Sequence, residues 1–74
     1  PEVPLKEELT YVKAYLFIMK ERFGKRLEVT LKIPEELYQK KVPRLILQPV
    51  IENAIAHGVQ VQGTGKVRIT GKNM

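Results

Sequence analysis

A chain of 74 residues with a net charge of +5 and no cysteine can form at most one small domain, without disulfide bonds or thiolate metal sites. No apolar run approaches the roughly 18 residues that a membrane-spanning helix needs, and no signal-peptide pattern is present. The basic residues are spread along the chain, and the aromatic residues all lie in patterned or linking segments, so we expect no nucleic-acid partner.

The first element is an amphipathic helix predicted over residues 5–23. Apolar residues recur there at spacings of three and four, which places them on one helical stripe. They are Leu5, Leu9, Val12, Leu16, Met19 and Phe23. Gly24 can close the helix in the left-handed conformation. We interpret Tyr11 and Tyr15, beside the stripe, as packing contacts rather than as a stacking platform for a ligand. The stripe also suits a partner helix, so a homodimer is expected.

A strand is predicted over residues 27–33, where apolar and polar residues alternate. This alternation gives the strand one apolar face and one solvated face. Residues 34–41 are mostly polar, which predicts a loop or a single helical turn before the next element.

A second helix is predicted over residues 43–57, because Pro43 suits the first helical position and Gly58 suits the end. Pro49 lies inside this range and lacks a backbone donor, so it predicts a kink or a late helix start.

The last predicted elements are a mobile loop over residues 58–65, which contains three glycines, and a second strand over residues 66–70. The predicted order is therefore helix, strand, helix, strand, and the predicted fold class is α+β.

Polar side chains interrupt the apolar second helix. Asn53 and His57 fall one turn apart on one side, and Glu52 lies on the adjoining row. A carboxylate and an amide can hold hydrated Mg²⁺ through oxygen, and an imidazole one turn later could reach a phosphate. The alternative is structural: Glu52 is solvated, Asn53 bonds the backbone, and His57 interacts with the helix dipole. Spacing alone leaves both interpretations open.

Other chemistries have less support in the sequence. A zinc site lacks a second ligand, because the chain has one histidine and no cysteine. The run Gly63-Thr64-Gly65-Lys66 lacks the upstream glycine and the following hydroxyl residue of a P-loop, so we interpret it as a flexible connector. No hydroxyl residue adjoins His57 in sequence, so nucleophilic catalysis is not indicated.

The run LQPVIENAIAHG over residues 47–58 resembles the N box of the LytS-type sensor histidine kinases, which usually reads LQPLVENAIKHG. Residues 4–23 are similar to the "L-x-E-E-L … Y-L … R-F" helix that precedes the N box in that family. Residues 27–33 match its intervening strand, so the resemblance covers nearly the whole chain.

This resemblance implies the N-terminal portion of an ATP-binding domain of the Bergerat (GHKL) type, a two-layer sandwich whose remaining sheet strands and ATP lid are absent from this chain. It implies that Asn53 coordinates a Mg²⁺ ion that bridges the ATP phosphates. Glu52 would lie beside it as a polar or proton-accepting group, and His57 would approach the phosphates. Ala56 stands where the family usually has Lys, so one phosphate contact would be missing.

The resemblance also implies an activity. The parent would be an ATP-dependent protein-histidine kinase of a two-component system, which transfers the γ-phosphoryl group to a histidine on a separate helical domain and then to a response regulator. The catalytic domain would be cytoplasmic in a membrane-attached parent. Because the chain begins at Pro1 without Met, we interpret residues 1–74 as a fragment of one such domain. The resemblance places the glycine-rich boxes that recognise adenine and form the lid outside this segment, so we expect the fragment alone to be inactive. The alternative is a non-enzymatic interaction or dimerisation module that acts through the first helix.

Overall fold

The computed structural model describes residues 1–72. The last two residues of the predicted 1–74 fragment, Asn73 and Met74, lie outside the described residues. The described elements follow in the order β1 (Glu2–Pro4), α1 (Leu5–Phe23), β2 (Leu27–Lys32), β3 (Lys41–Pro43), α2 (Leu47–His57), α3 (Val59–Gln62) and β4 (Gly65–Thr70). Short 3-10 turns follow α1 and β2, at Gly24–Arg26 and Glu35–Leu37. No helix in this part of the chain is long and apolar enough to cross a bilayer.

The strands of residues 1–72 form two separate two-stranded sheets. β2 and β4 are parallel, with Val29 opposite Val67, and β1 and β3 are antiparallel, with Val3 opposite Val42. Residues of α1 and α2 pack against the apolar face of the parallel pair. The opposite face is polar and carries an exposed ion pair between Lys66 and Glu28 at 3.2 Å. Helices and small sheets together confirm the expected α+β class.

The hydrophobic core lies between the two longer helices and the parallel strands. Its buried members are Val12, Leu16, Phe23, Leu27, Ile51, Ile55, Val59 and Val67. Four of the six stripe residues predicted on α1 are buried, which confirms the predicted orientation of that helix. Tyr11 and Tyr15 pack against the edge of this core, as expected for packing aromatics.

Helix α1 has the expected bounds, and both of its ends have a physical cause. Its first free N–H groups donate to backbone carbonyls of the segment that follows β2: Leu5 to Lys40 at 2.8 Å and Lys6 to Tyr38 at 2.9 Å. At the other end Gly24 has a φ of +58°, a conformation in which residues with a Cβ are strained. The predicted glycine stop is thus confirmed, although a ψ of −130° places Gly24 outside the expected left-handed helical conformation.

We predicted the second helix over residues 43–57. Helix α2 begins at Leu47, so the predicted start was wrong and lay four residues too early. Pro43 instead ends β3, which pairs with residues 2–4. Local periodicity cannot reveal a pairing between such distant segments. The late start expected from Pro49 is confirmed. Pro49 is the third residue of α2, where the backbone has no intrahelical partner for an N–H group, so the ring is tolerated without a kink.

The mobile loop expected over residues 58–65 was also wrong, because Val59–Gln62 forms the short helix α3. Val59 is 2% exposed and fills a position in the core, which fixes the turn in place. Gly63 closes it with a φ of +89°. The two predicted strands are shifted by one residue at one end each: β2 ends at Lys32 and β4 begins at Gly65.

Candidate functional site

Helix α2 carries all four of the predicted site residues. Ile51 and Ile55 face the core, and this fixes the rotation of the helix. Glu52, Asn53 and His57 are exposed, whereas Ala56 is half-buried. At 100° per residue, Asn53 and His57 project within about 40° of each other, on the side away from the core. The structure therefore places the amide and the imidazole together on an open surface.

Glu52 lies on the flank of α2 that faces α1. The Tyr11 hydroxyl donates a hydrogen bond to Glu52 Oε2. The rings of Tyr11 and Tyr15 stack with their centroids 6.0 Å apart and their planes 13° from parallel. Glu52 is exposed, as the solvated alternative expected, and it is also held by α1 through this hydrogen bond.

The pKa values of both tyrosines are raised, but the main cause differs between them. The hydrogen bond to Glu52 is the main cause that raises the pKa of Tyr11, and loss of hydration and the negative charge of Glu52 add to it. The pKa of Tyr15 is raised mainly by burial and then by the charge of Glu52, while Arg22 opposes the shift. Both phenols therefore keep their protons throughout the neutral range.

Asn53 and His57 differ from Glu52 because neither side chain makes a hydrogen bond within residues 1–72. The alternative in which the Asn53 amide bonds the backbone is therefore not observed. His57 is the last residue of α2, where the helix dipole favours a positive charge. The two side chains remain available to a ligand on the open side of the helix.

A metal ion at this surface would need ligands beyond those that residues 1–72 supply. Among residues 1–72, no three or more His, Cys, Asp or Glu side chains form a group that could hold a metal ion. Mg²⁺ does not require such a cage in nucleotide sites, because phosphates and water complete its octahedron around one or two protein oxygens. The exposed Asn53 amide oxygen fits this mode of binding.

Glu8 is the important residue that the sequence reasoning missed. It is 4% exposed, and its two carboxylate oxygens accept the backbone N–H groups of Leu45 at 3.1 Å and Leu47 at 3.2 Å. Leu47 is the first residue of α2, so Glu8 on α1 satisfies the N-terminus of the helix that carries the site. A signal was present, since Glu8 stands one turn before Val12 on the apolar stripe.

Gly58, directly after His57, occupies a position at the end of α2 that has no room for a side chain. A Cβ at this position would lie 2.8 Å from the Ala54 carbonyl oxygen and 3.6 Å from the Gly65 Cα. The first distance is shorter than real side chains allow and is to backbone, which cannot move aside cheaply, whereas the second is an ordinary van der Waals contact.

Gly58→Ala is therefore expected to lower the free energy of unfolding by about 1–3 kcal/mol, the usual cost of overpacking. Urea unfolding of the two chains, followed by far-ultraviolet circular dichroism, measures the difference. Gln60→Ala, at an exposed position of α3, is the control and should change stability little. Equal urea midpoints for Gly58→Ala and the unsubstituted chain would contradict the steric conflict with the Ala54 carbonyl.

Comparison with known proteins relates the chain to sensor kinases. The sensor histidine kinase BtsS of Escherichia coli K12 is 48% identical over 71 residues, which are 95% of this chain and 13% of BtsS. The sensor histidine kinase YpdA of the same organism is 41% identical over 70 residues, 93% of this chain and 12% of YpdA. The sensor protein LytS of Bacillus cereus is 42% identical over 55 residues, 74% of this chain and 9% of LytS.

No protein-family profile and no solved structure matches the chain. The chain spans only 9–13% of the length of these three relatives. The matched residues nevertheless include nearly all of this chain in the case of BtsS and YpdA. The chain is therefore homologous, over nearly its whole length, to one segment of sensor histidine kinases.

Proposed function

We propose that this chain is part of the ATP-binding catalytic domain of a LytS-type, two-component sensor histidine kinase with a Bergerat (GHKL) fold. The observation that carries the proposal is the exposed Asn53 amide, unengaged within residues 1–72 and held on the open side of α2 beside His57. The names of the relatives support a kinase. The resemblance of residues 47–58 to an N box supports assignment of this segment to the nucleotide site.

The proposed roles follow from side-chain chemistry. Asn53 would hold Mg²⁺ through its amide oxygen, and this ion supplies charge neutralisation to the ATP phosphates when it is bound. His57, one turn later, would donate to a phosphate oxygen. Ala56 offers no cation, so that position would contribute no ion pair to the nucleotide. Glu52 would serve as a polar or proton-accepting group beside Asn53.

The partners of this site are part of the proposal. The kinase would transfer the γ-phosphoryl group of ATP to a histidine on a separate helical domain, from which it would pass to a response regulator. We propose that the kinase is a homodimer attached to the cell membrane, with this domain in the cytoplasm. The 74-residue chain by itself would be inactive, because one nucleotide-facing helix does not enclose ATP.

The test of the proposal is Asn53→Ala in the longer kinase that contains this chain. We expect the affinity for Mg-ATP to fall at least about tenfold, which corresponds to about 1.4 kcal/mol. Isothermal titration calorimetry with ATP, in the presence of Mg²⁺ and in its absence, measures the change. The loss should be much smaller without Mg²⁺, because the amide acts on the ion.

Gln60→Ala is a suitable control because Gln60 is exposed on α3 and lies outside the proposed site. Unchanged Mg-ATP affinity in Asn53→Ala would refute the proposed role of this residue. That result would favour the second candidate, an interaction module that acts through α1. The exposure of Phe17 (69%) and Ile18 (59%) is the observation that supports this candidate.

A further inference from the structure

We infer that Tyr11 is a positioning residue for Glu52, and that it acts on the kinase reaction only through this carboxylate. The inference rests on the proposed function and deepens it. It adds a residue on α1 to a site whose other members all lie on α2. Tyr11 is separated from Glu52 by 41 positions in the sequence.

The ring that carries the Tyr11 hydroxyl has packing contacts on Tyr15 and on the core. The ring stacks on Tyr15, and both rings pack against the edge of the hydrophobic core. Its hydroxyl donates to Glu52 Oε2 across the space between the two helices. A donor carried on a packed ring can thus define where the acceptor lies.

Glu52 needs such a constraint because its side chain is exposed. A free glutamate on a helix surface samples several rotamers, and ordering it costs conformational entropy. The hydrogen bond from Tyr11 selects among those rotamers before the substrate arrives. Placement of a reacting group in advance is a large part of enzymatic rate enhancement.

The bond also leaves the carboxylate able to react. Oε2 accepts the phenol, whereas Oε1 has no hydrogen-bond partner within residues 1–72. Because the hydrogen bond to Glu52 raises the pKa of Tyr11 above its usual value, its phenol remains a donor at neutral pH. The proton-accepting role stays with Glu52, and Tyr11 contributes only geometry.

Tyr15 provides a matched control. Its ring completes the stack, but its hydroxyl makes no hydrogen bond within residues 1–72. Tyr15→Phe therefore removes a hydroxyl from the same aromatic pair without touching Glu52. Tyr11→Phe keeps the stacked ring and removes only the donor.

The experiment measures autophosphorylation by the full-length kinase with the variants Tyr11→Phe, Glu52→Gln, their combination, and Tyr15→Phe. We expect Tyr11→Phe to lower kcat about tenfold with the KM for ATP nearly unchanged. Tyr11→Phe should cause no further loss when Glu52 is already Gln, because an amide cannot accept the proton and its placement by Tyr11 then no longer affects kcat. Tyr15→Phe should keep the kcat of the unsubstituted kinase.

Three outcomes would overturn the inference. The first is a double variant whose loss of kcat equals the product of the losses in the two single variants. The others are no effect of Tyr11→Phe on kcat and no effect of Glu52→Gln on kcat. Glu52→Asp gives a second route, because it keeps the carboxylate but shortens its reach to Tyr11, and its kcat should fall as in Tyr11→Phe. The Mg-ATP titration of Asn53→Ala tests the proposed function separately. The kcat measurements can therefore contradict the role of Tyr11 even if the titration supports the proposed nucleotide site.

Discussion

Glu8→Ala is expected to lower the free energy of unfolding of this chain by about 3 kcal/mol. The substitution removes two hydrogen bonds from backbone N–H groups to a buried carboxylate. Bonds to charged groups contribute about 1.5–3 kcal/mol each, and the lower value applies because these two are only partly buried. Urea unfolding followed by circular dichroism measures the loss.

Glu7→Ala is the matched control, because Glu7 has the same charge and the same helical turn but is exposed. Its effect should stay within about 0.5 kcal/mol, as for most surface substitutions. Glu8→Gln should give an intermediate loss, since the amide keeps one acceptor oxygen. If Glu7→Ala and Glu8→Ala were equally stable, the role of Glu8 at the start of α2 would be refuted.

Ile55→Ala is the second substitution with a large expected effect. Ile55 is 1% exposed in the centre of the core, and removal of a buried isoleucine side chain costs about 2–5 kcal/mol. A chain of this length has a total stability of only about 4–11 kcal/mol at the usual value per residue. We therefore expect thermal unfolding, followed by circular dichroism, to show a large decrease in Tm or no folded baseline.

Ile18→Ala tests whether burial rather than residue type causes this loss. Ile18 is 59% exposed on α1, so its substitution should leave the Tm nearly unchanged. A comparable decrease for both variants would contradict the position of Ile55 in the core. The prediction bears on function as well, because Ile55 fixes the rotation of α2 and thereby keeps Asn53 and His57 on the open side.

The fold could be predicted from the sequence where a single segment carries its own pattern. The apolar stripe of residues 5–23 and the alternation of residues 27–33 report which face of each element is buried, and both faces agree with the structure. The strand pair of residues 2–4 and 41–43 could not be found in this way. Three-residue strands have too few positions for a periodicity, and their pairing depends on distant parts of the chain.

The same distinction between local patterns and distant contacts applies to the candidate site. Spacing on one helix was enough to place Asn53 and His57 together, because 3.6 residues make one turn. The partner of Glu52 could not be inferred from spacing, since Tyr11 lies on another helix. Glu8 was overlooked for a related reason. Its carboxylate oxygens accept hydrogen bonds from N–H groups that are 37 and 39 positions away in the sequence.

The sequence by itself thus determined the long helix α1, the faces of the parallel strands, and the exposed pair Asn53 and His57 on α2. These features depend on local geometry that repeats along one segment. Only the tertiary structure decided that α2 begins at Leu47 under the carboxylate of Glu8, and that Glu52 is held by Tyr11. Both contacts join α1 to α2, and hydrogen bonds between distant segments depend on how the helices pack, which no local pattern encodes.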